Sequence, residues 1–451
     1  MTVHYQEKEL REKIQSIVSN IIALRKKASK FIPGKTIIRY AGAVYDAEEI
    51  NIMVNAILDG WFSSGKYTLK FEAKFSEFLG VKNAISVNSG SSANLLAIAA
   101  LFSQQLPKEM RLKPGDEVIT TALCFPTTVN PLIIYNLTPV FIDVEIGTYN
   151  PDPFLIEKAI SRKTKAIFIT HTLGNPNDMK HIMDIVESHD LILIEDACDA
   201  LGSKYNGKYV GTFGHLGTFS FYPAHHITTG EGGMVVTNNT LLGNIVRSLR
   251  DWGRACTMPI CDPVHCPDNE CPRSLKNNAK SIYGLPEDYD KRYTYINIGF
   301  NFKMTEIQAA MGIAQLNKLP MFIEIRKRNF KFIYEELSKY DNVFILPEWL
   351  PRSDPSWFAF PITIRKEAPF NRRKILKWLL QNRIEAKLLF TGNILKHPAY
   401  KNINAKIYGT LENSDYIMFN TFFIGVYPGI TEEMLEYIVT KIKEFVNSHK
   451  Y

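Results

Sequence analysis

Residues 84–102, AISVNSGSSANLLAIAALF, read as a buried strand, a turn of small residues and a helix. An apolar run that gives way to a small-residue turn and then to helical spacing is one half of a strand–helix–strand unit. The same alternation continues on both sides. EVITT (117–121), PVFIDV (139–144), AIFIT (166–170), LILIE (191–195) and MVVT (234–237) are further strand-like runs, and NDMKHIMDIVESH (177–189) is a further helix. The pattern predicts an α/β fold with a mainly parallel sheet covered by helices. Two long helical patterns follow, MTEIQAAMGIAQL (304–316) and PMFIEIRKRNFKFIYEELSKY (320–340). After Trp349 comes a smaller α+β segment, with FAFPITI as a strand and RRKILKWLLQN as a helix. The expected organisation is an N-terminal helical segment (1–40), a large cofactor-binding domain (41–320) and a small C-terminal domain (321–451). A Cys-rich insert at 255–290 has no hydrophobic period.

Composition narrows the function classes. The net charge is +7 over 451 residues and no run of five or six like charges appears, so nucleic acid is not the expected partner. The mild basic bias suits a small anionic ligand. The N-terminal stretch MTVHYQEKELREKIQSIVSNIIALRKK is charged throughout and reads as an amphipathic helix, not a signal peptide. No stretch approaches 18 apolar residues, so no membrane span is expected and the cytoplasm is the expected compartment.

Three local patterns point to chemistry. Gly90, Ser91 and Ser92 stand where the 84–102 helix starts, where free N–H groups and hydroxyls suit a phosphate. Serines are also ordinary N-caps, so this pattern alone leaves both readings open. LILIEDACDALG (191–202) ends a strand with Glu195 and Asp196 at the usual ligand crevice of an open sheet. Asp196 is the candidate carboxylate for a pyridinium nitrogen, the alternative being a helix-capping acid. GTFSFYPAHHITTGEGGMV (217–235) runs from a strand through a turn into a glycine-rich stretch.

Taken together, these motifs resemble the DegT/DnrJ/StrS sugar-nucleotide aminotransferases, fold-type I enzymes dependent on vitamin B6, along essentially the whole chain. In that family the turn after the SF strand carries the lysine that binds the cofactor covalently. Here the position is His225, followed by His226. Imidazole cannot make that link, so the resemblance implies non-covalent pyridoxamine 5′-phosphate (PMP) with His225 as general base. An inactive paralogue is the alternative. SFYPAHHITTGEGG, RDWGR, DPSWFAFPI and LLFTGN together resemble the PMP-dependent 3-dehydrase branch that acts on CDP-4-keto-6-deoxyglucose. That branch serves 3,6-dideoxysugar and O-antigen biosynthesis. It couples PMP to a 2Fe–2S cluster and takes electrons from an NADH-dependent iron–sulfur flavin reductase.

By the same resemblance, Ser91, Ser92 and Ser220 match phosphate contacts, Phe125 the aromatic that stacks on the ring, and Asp196 the pyridinium partner. Asp199 lies where many relatives have glutamine under the ring. Asn301 matches an asparagine that reaches the phosphate of a neighbouring subunit, which implies a homodimer.

The six cysteines are Cys124, Cys198, Cys256, Cys261, Cys266 and Cys271. The last four recur every five residues, a spacing that accepts iron–sulfur or zinc equally. The dehydrase branch places one ligand at Cys198 and the next after 57 intervening residues, a separation that Cys198 and Cys256 keep. The next ligand of the branch falls here on Met258, so five cysteines compete for four places. Cys124 is expected in the core. Two rival readings stand beside the main one: a dehydrase without a cluster that consumes glutamate, and a non-catalytic B6-fold protein with a zinc-stapled loop.

Overall fold

The computed structural model describes residues 2–28, 30–255, 284–286 and 293–449. Cys256, Cys261, Cys266 and Cys271 lie outside these residues. The chain opens with helix α1 (Thr2–Ala28), whose Arg11 bridges Glu7 at 2.7 Å and Asp59 at 3.2 Å. Asp59 caps the C-terminus of α2 (Ala47–Leu58), and α3 (Lys66–Leu79) follows. The main sheet is then laid down by β1 (Asn83–Val87), β2 (Glu117–Thr121), β3 (Thr138–Ile142), β4 (Thr164–Thr170), β5 (Ile192–Asp196), β6 (Leu216–Ser220) and β7 (Gly233–Thr237).

Helices α4 (Gly90–Ala100), α5 (Pro126–Ile134), α6 (Met179–Ser188) and α7 (Thr240–Arg250) cover it. The order is β1-β7-β6-β5-β4-β2-β3, closed at its far edge by a short strand, Lys406–Ile407. From β6 to β3 neighbouring strands are parallel, while β7 is antiparallel to both of its neighbours. Strands β2, β3 and β5 are buried along their whole length, which is why they read as continuous apolar runs.

One expectation changes. The two helical patterns around residues 304–340 form a single helix, α8 (Glu306–Leu337), with Pro320 inside it. Thr305 and Gln308 start it with a reciprocal capping box. An interior proline costs about 3 kcal/mol. Leu316, Leu319, Phe322 and Ile323 flank it and pack into the core under the main sheet. Burial of each such side chain contributes about 1.5–3 kcal/mol, so packing outweighs the broken backbone bond. The same helix carries Phe330, Ile333 and Leu337 into a second core. That core lies against a four-stranded antiparallel sheet, Phe344–Ile345 with β8 (Ala359–Ile364), β9 (Thr421–Gly425 in the chain's last third) and a short edge strand Ala386–Leu388. Helix α8 thus links the two sheets, and the site forms between them.

Candidate active site

The C-terminal ends of the parallel strands meet the smaller sheet around a cavity of about 440 Å³. Gly90, Ser91, Phe125, Asp196, Cys198, Asp199, Ser220 and His225 all line it, so segments spread over 135 residues of chain converge at one point. Ser92 and Asn301 do not line it. The Ser92 N–H donates to the Ser89 hydroxyl, which caps α4, and Ser89 itself lines the cavity. Asn301 is exposed and bridges Asp251. Cys124 is buried beside Val129, Phe141 and Ile394, as expected of a core residue.

At the phosphate end, α4 presents its N-terminus. A Cβ added to Gly90 would meet the Ser220 Cβ at 2.5 Å, so only glycine lets the two turns approach this closely. The unpaired N–H groups of a helix start, with Ser91 and Ser220 beside them, make an anion site.

Asp196 ends β5 and is 3% exposed. Its Oδ2 accepts hydrogen bonds from the Asn94 amide at 2.8 Å and the Thr128 hydroxyl at 2.7 Å. The Asn94 amide is oriented in turn by the Thr218 hydroxyl, which donates to its oxygen at 2.6 Å. Oδ1 accepts the Cys198 N–H at 3.2 Å. Asn94, Thr128 and Thr218 had no signal in the sequence, because each looks like an ordinary element residue. Glu195 plays a structural part: it accepts the N–H groups of Gly211, Phe213 and Gly214, each at 2.7 Å, and pairs with His171 at 3.0 Å.

His225 sits in the turn after β6, where its N–H donates to the Tyr222 carbonyl at 2.9 Å. Its ring lies 5.3 Å from the Phe358 ring, and Nδ1 has no hydrogen-bond partner. The Asp199 carboxylate is 3.5 Å away. The contact is not an ion pair. Burial first, and then the charge of Arg326, push His225 down to about 3. Burial and the neighbouring Asp196 push Asp199 up to about 8. Burial therefore favours the neutral form of each group. His226 points elsewhere: its Nε2 donates to the Ser356 carbonyl at 2.8 Å, and it is absent from the cavity lining.

The far wall is aromatic, with Phe358, Phe390 and Phe423 in mutual edge or tilted contact and Phe125 edge-on to Phe390 at 6.1 Å. Among the described residues that line the cavity, Lys387 is the one cation, paired with Glu385 at 2.8 Å.

A helix start suited to an anion, a buried carboxylate at a strand end and the Phe125 ring line one cavity, an arrangement that suits a B6 cofactor. The residues fit a B6 phosphate, down to the unpartnered His225 Nδ1 and Thr170 hydroxyl left at the cavity wall. The chain belongs to the DegT/DnrJ/EryC1/StrS aminotransferase family, whose model matches residues 44–260 and 273–443. It is 47% identical over 436 residues to the lipopolysaccharide biosynthesis protein RfbH of Salmonella typhimurium, covering 97% of this chain and 98% of that one. It is 47% identical over 416 residues to the dTDP-4-dehydro-2,6-dideoxy-D-glucose 3-dehydratase of Saccharopolyspora spinosa, covering 92% and 88%. Among solved structures it resembles a GDP-4-keto-6-deoxymannose-3-dehydratase with a trapped PLP–glutamate geminal diamine. There the TM-score is 0.79 at 31% identity, over 89% of this chain and 99% of that one. The fold is that of the fold-type I PLP-dependent transferases. Among the described residues no helix is long and apolar enough to cross a membrane.

Proposed function

We propose that this chain is a B6-dependent dehydratase that removes the C3 hydroxyl of a nucleotide-activated 4-keto-6-deoxyhexose. The observation that carries the reading is His225, an imidazole with an open Nδ1 on the cavity wall, where the motif resemblance puts the family's Schiff-base lysine. The 3-dehydratases among its relatives support it. Bound here, PMP would supply an amine for the C4 ketone and a ring that acidifies the C4′ hydrogen, so that the electron pair left by that proton can flow toward the sugar and expel the C3 hydroxyl.

The protein's own residues do the rest. The start of α4, with Ser91 and Ser220, holds the phosphate, and Ser92 anchors that turn through Ser89. Asp196, fixed by Asn94 and Thr128, would hold the ring nitrogen, and Phe125 would stack on the ring. His225 takes the proton from the cofactor's C4′. The charged imidazole then stands 3.5 Å from Asp199, which favours the carboxylate there. Lys387 meets the diphosphate of the substrate, and Asn301 serves the cavity of a second copy in a homodimer. The relatives name dTDP- and GDP-linked sugars, so the CDP-linked sugar implied by the motifs is one member of the class to assay.

Two routes would return the cofactor to its amine form. The glutamate-coupled route needs nothing beyond the cavity, and the relative trapped with a PLP–glutamate adduct favours it. The second is the 2Fe–2S route with a reductase partner. A specific observation keeps it: Cys198 lines the cavity two residues from Asp196, at the branch separation from Cys256. Burial and Asp196 push the Cys198 thiol well up, so a metal there must supply the charge that deprotonates it.

The test is turnover of 4-keto-6-deoxyhexose nucleotides by anaerobically purified protein loaded with PMP. We expect loss of the C3 hydroxyl. Release of 2-oxoglutarate from glutamate marks the first route; iron and sulfide with reductase-dependent turnover mark the second. Amino transfer to C4 with the hydroxyl retained would overturn the dehydratase reading.

A further inference from the structure

Arg326 lies in α8 and is 1% exposed, yet the ion pairs among the described residues do not include it. Its Nη1 donates to the carbonyls of Trp357 at 3.2 Å and Phe358 at 3.0 Å, and its Nη2 donates to the carbonyl of His225 at 3.1 Å. Nε has no partner. A buried guanidinium held by carbonyl dipoles alone is costly, and an apolar side chain of similar length would fill the space more cheaply. Its position explains what the charge is for. One rigid fork joins the turn that carries His225 to the residues leading into β8, and the Phe358 ring packs on the imidazole.

We propose that Arg326 is the positioning residue of the base: it pins the His225 main chain between the two sheets and holds the imidazole against Phe358, in place for the C4′ proton. This rests on the reading of His225 as the base. Phe358 is the mechanical partner. If the fork were lost, the turn and the Phe358 segment would separate, and a displacement of about 1 Å costs on the order of 10²-fold in rate.

The groups nearest His225 are Asp199 from the loop after β5, His226 beside it and Arg326 itself. Across the cavity stand Asp196, Cys198, Glu231, Tyr40, Tyr222 and Lys387. Of these, Arg326 is the cation whose field acts on His225 after burial, and it also lowers the proton affinity of His226.

The experiment uses full-length apo protein with [13Cε1]histidine, the His225 signal being assigned by its loss in His225→Gln. Arg326→Lys keeps the charge and loses the fork. Arg326→Met loses both. We expect the His225 imidazole to take up its proton at lower pH in wild type and Arg326→Lys than in Arg326→Met. With PMP and substrate, kcat should fall about 10²-fold in both variants, while PMP affinity changes less than about threefold. The same His225 titration in all three proteins, or wild-type kcat in Arg326→Lys, overturns the proposal. If Arg326→Met does not fold, the kcat of Arg326→Lys and its His225 signal decide. If the titrations follow the arginine but wild type dehydrates no nucleotide sugar, the functional reading fails and the control of His225 by Arg326 stands.

Discussion

Two buried carboxylates of this protein, Glu72 and Asp199, are 5% and 6% exposed and have opposite fates. Burial pushes Glu72 up, but Arg247 at 2.9 Å and Arg250 at 2.7 Å outweigh it and bring it down to about 2. Ser86 donates its N–H and its hydroxyl to the same carboxylate, each at 2.9 Å, so Glu72 ties α3, β1 and α7 together. Asp199 makes no ion pair with an arginine among the described residues, and the charge of Arg326 offsets its burial only in part. Burial and Asp196 push it up to about 8, and it faces a histidine that is itself neutral. A charge that is paired on all sides holds a fold. A pair of groups kept neutral at close range is costly to build and remains free to exchange a proton, which is what a reaction site requires.

The contrast is open to direct attack. Glu72→Ala leaves the buried Arg250 and the partly buried Arg247 without their carboxylate and should cost about 3–5 kcal/mol in urea unfolding. Asp199→Asn, equally buried, should cost nothing at pH 8. Equal losses from the two would erase the distinction. His225→Asn should reverse the pattern, with unfolding unchanged and 3-dehydration reduced about 10²–10⁴-fold in a product assay.

The pH dependence of stability should carry opposite signs in the two regions. Glu72 has a folded value below its ordinary 4.5, so its stabilisation is complete above pH 4.5 and is lost as the pH falls toward 2. Asp199 has a folded value above its ordinary 3.8, so its contribution is present at low pH and is lost as the pH rises toward 8. Between pH 6.5 and 8 the apo protein should therefore lose stability by at most about 1.4 kcal/mol per pH unit from this group. Asp199→Asn should flatten that limb in a series of thermal melts, and Glu72→Gln should flatten the acid one. The smallest effect is expected at the rim, where Lys387→Met should raise KM for the nucleotide sugar about tenfold and leave kcat nearly unchanged.

Most of the sheet was legible because its strands are buried on both faces and read as apolar runs, and Gly90, Asp196 and His225 were legible because they end those runs in an ordered motif. Residues that act through distant contacts were not. Asn94 and Thr128 hold Asp196 from 102 and 68 positions away, and Arg326 reaches His225 across 101. Nothing in the local pattern of α8 sets Arg326 apart from Arg328, two residues on and half exposed. Pro320 was read as a break because local propensity favours one, and the packing on both sides of it decides otherwise.

The account turns on whether His225 handles the C4′ proton of a cofactor that is not tethered to the chain. The direct measurement is exchange of the C4′ hydrogens of bound PMP with deuterium oxide, in the presence of a 4-keto-6-deoxyhexose nucleotide, followed by mass spectrometry of the recovered cofactor. The account predicts uptake of one deuterium by the wild-type enzyme, none above background by His225→Asn, and a cofactor freed by denaturation after borohydride treatment of the PLP-loaded protein. Undiminished exchange in His225→Asn, or a phosphopyridoxyl-lysine in the digest, would contradict it.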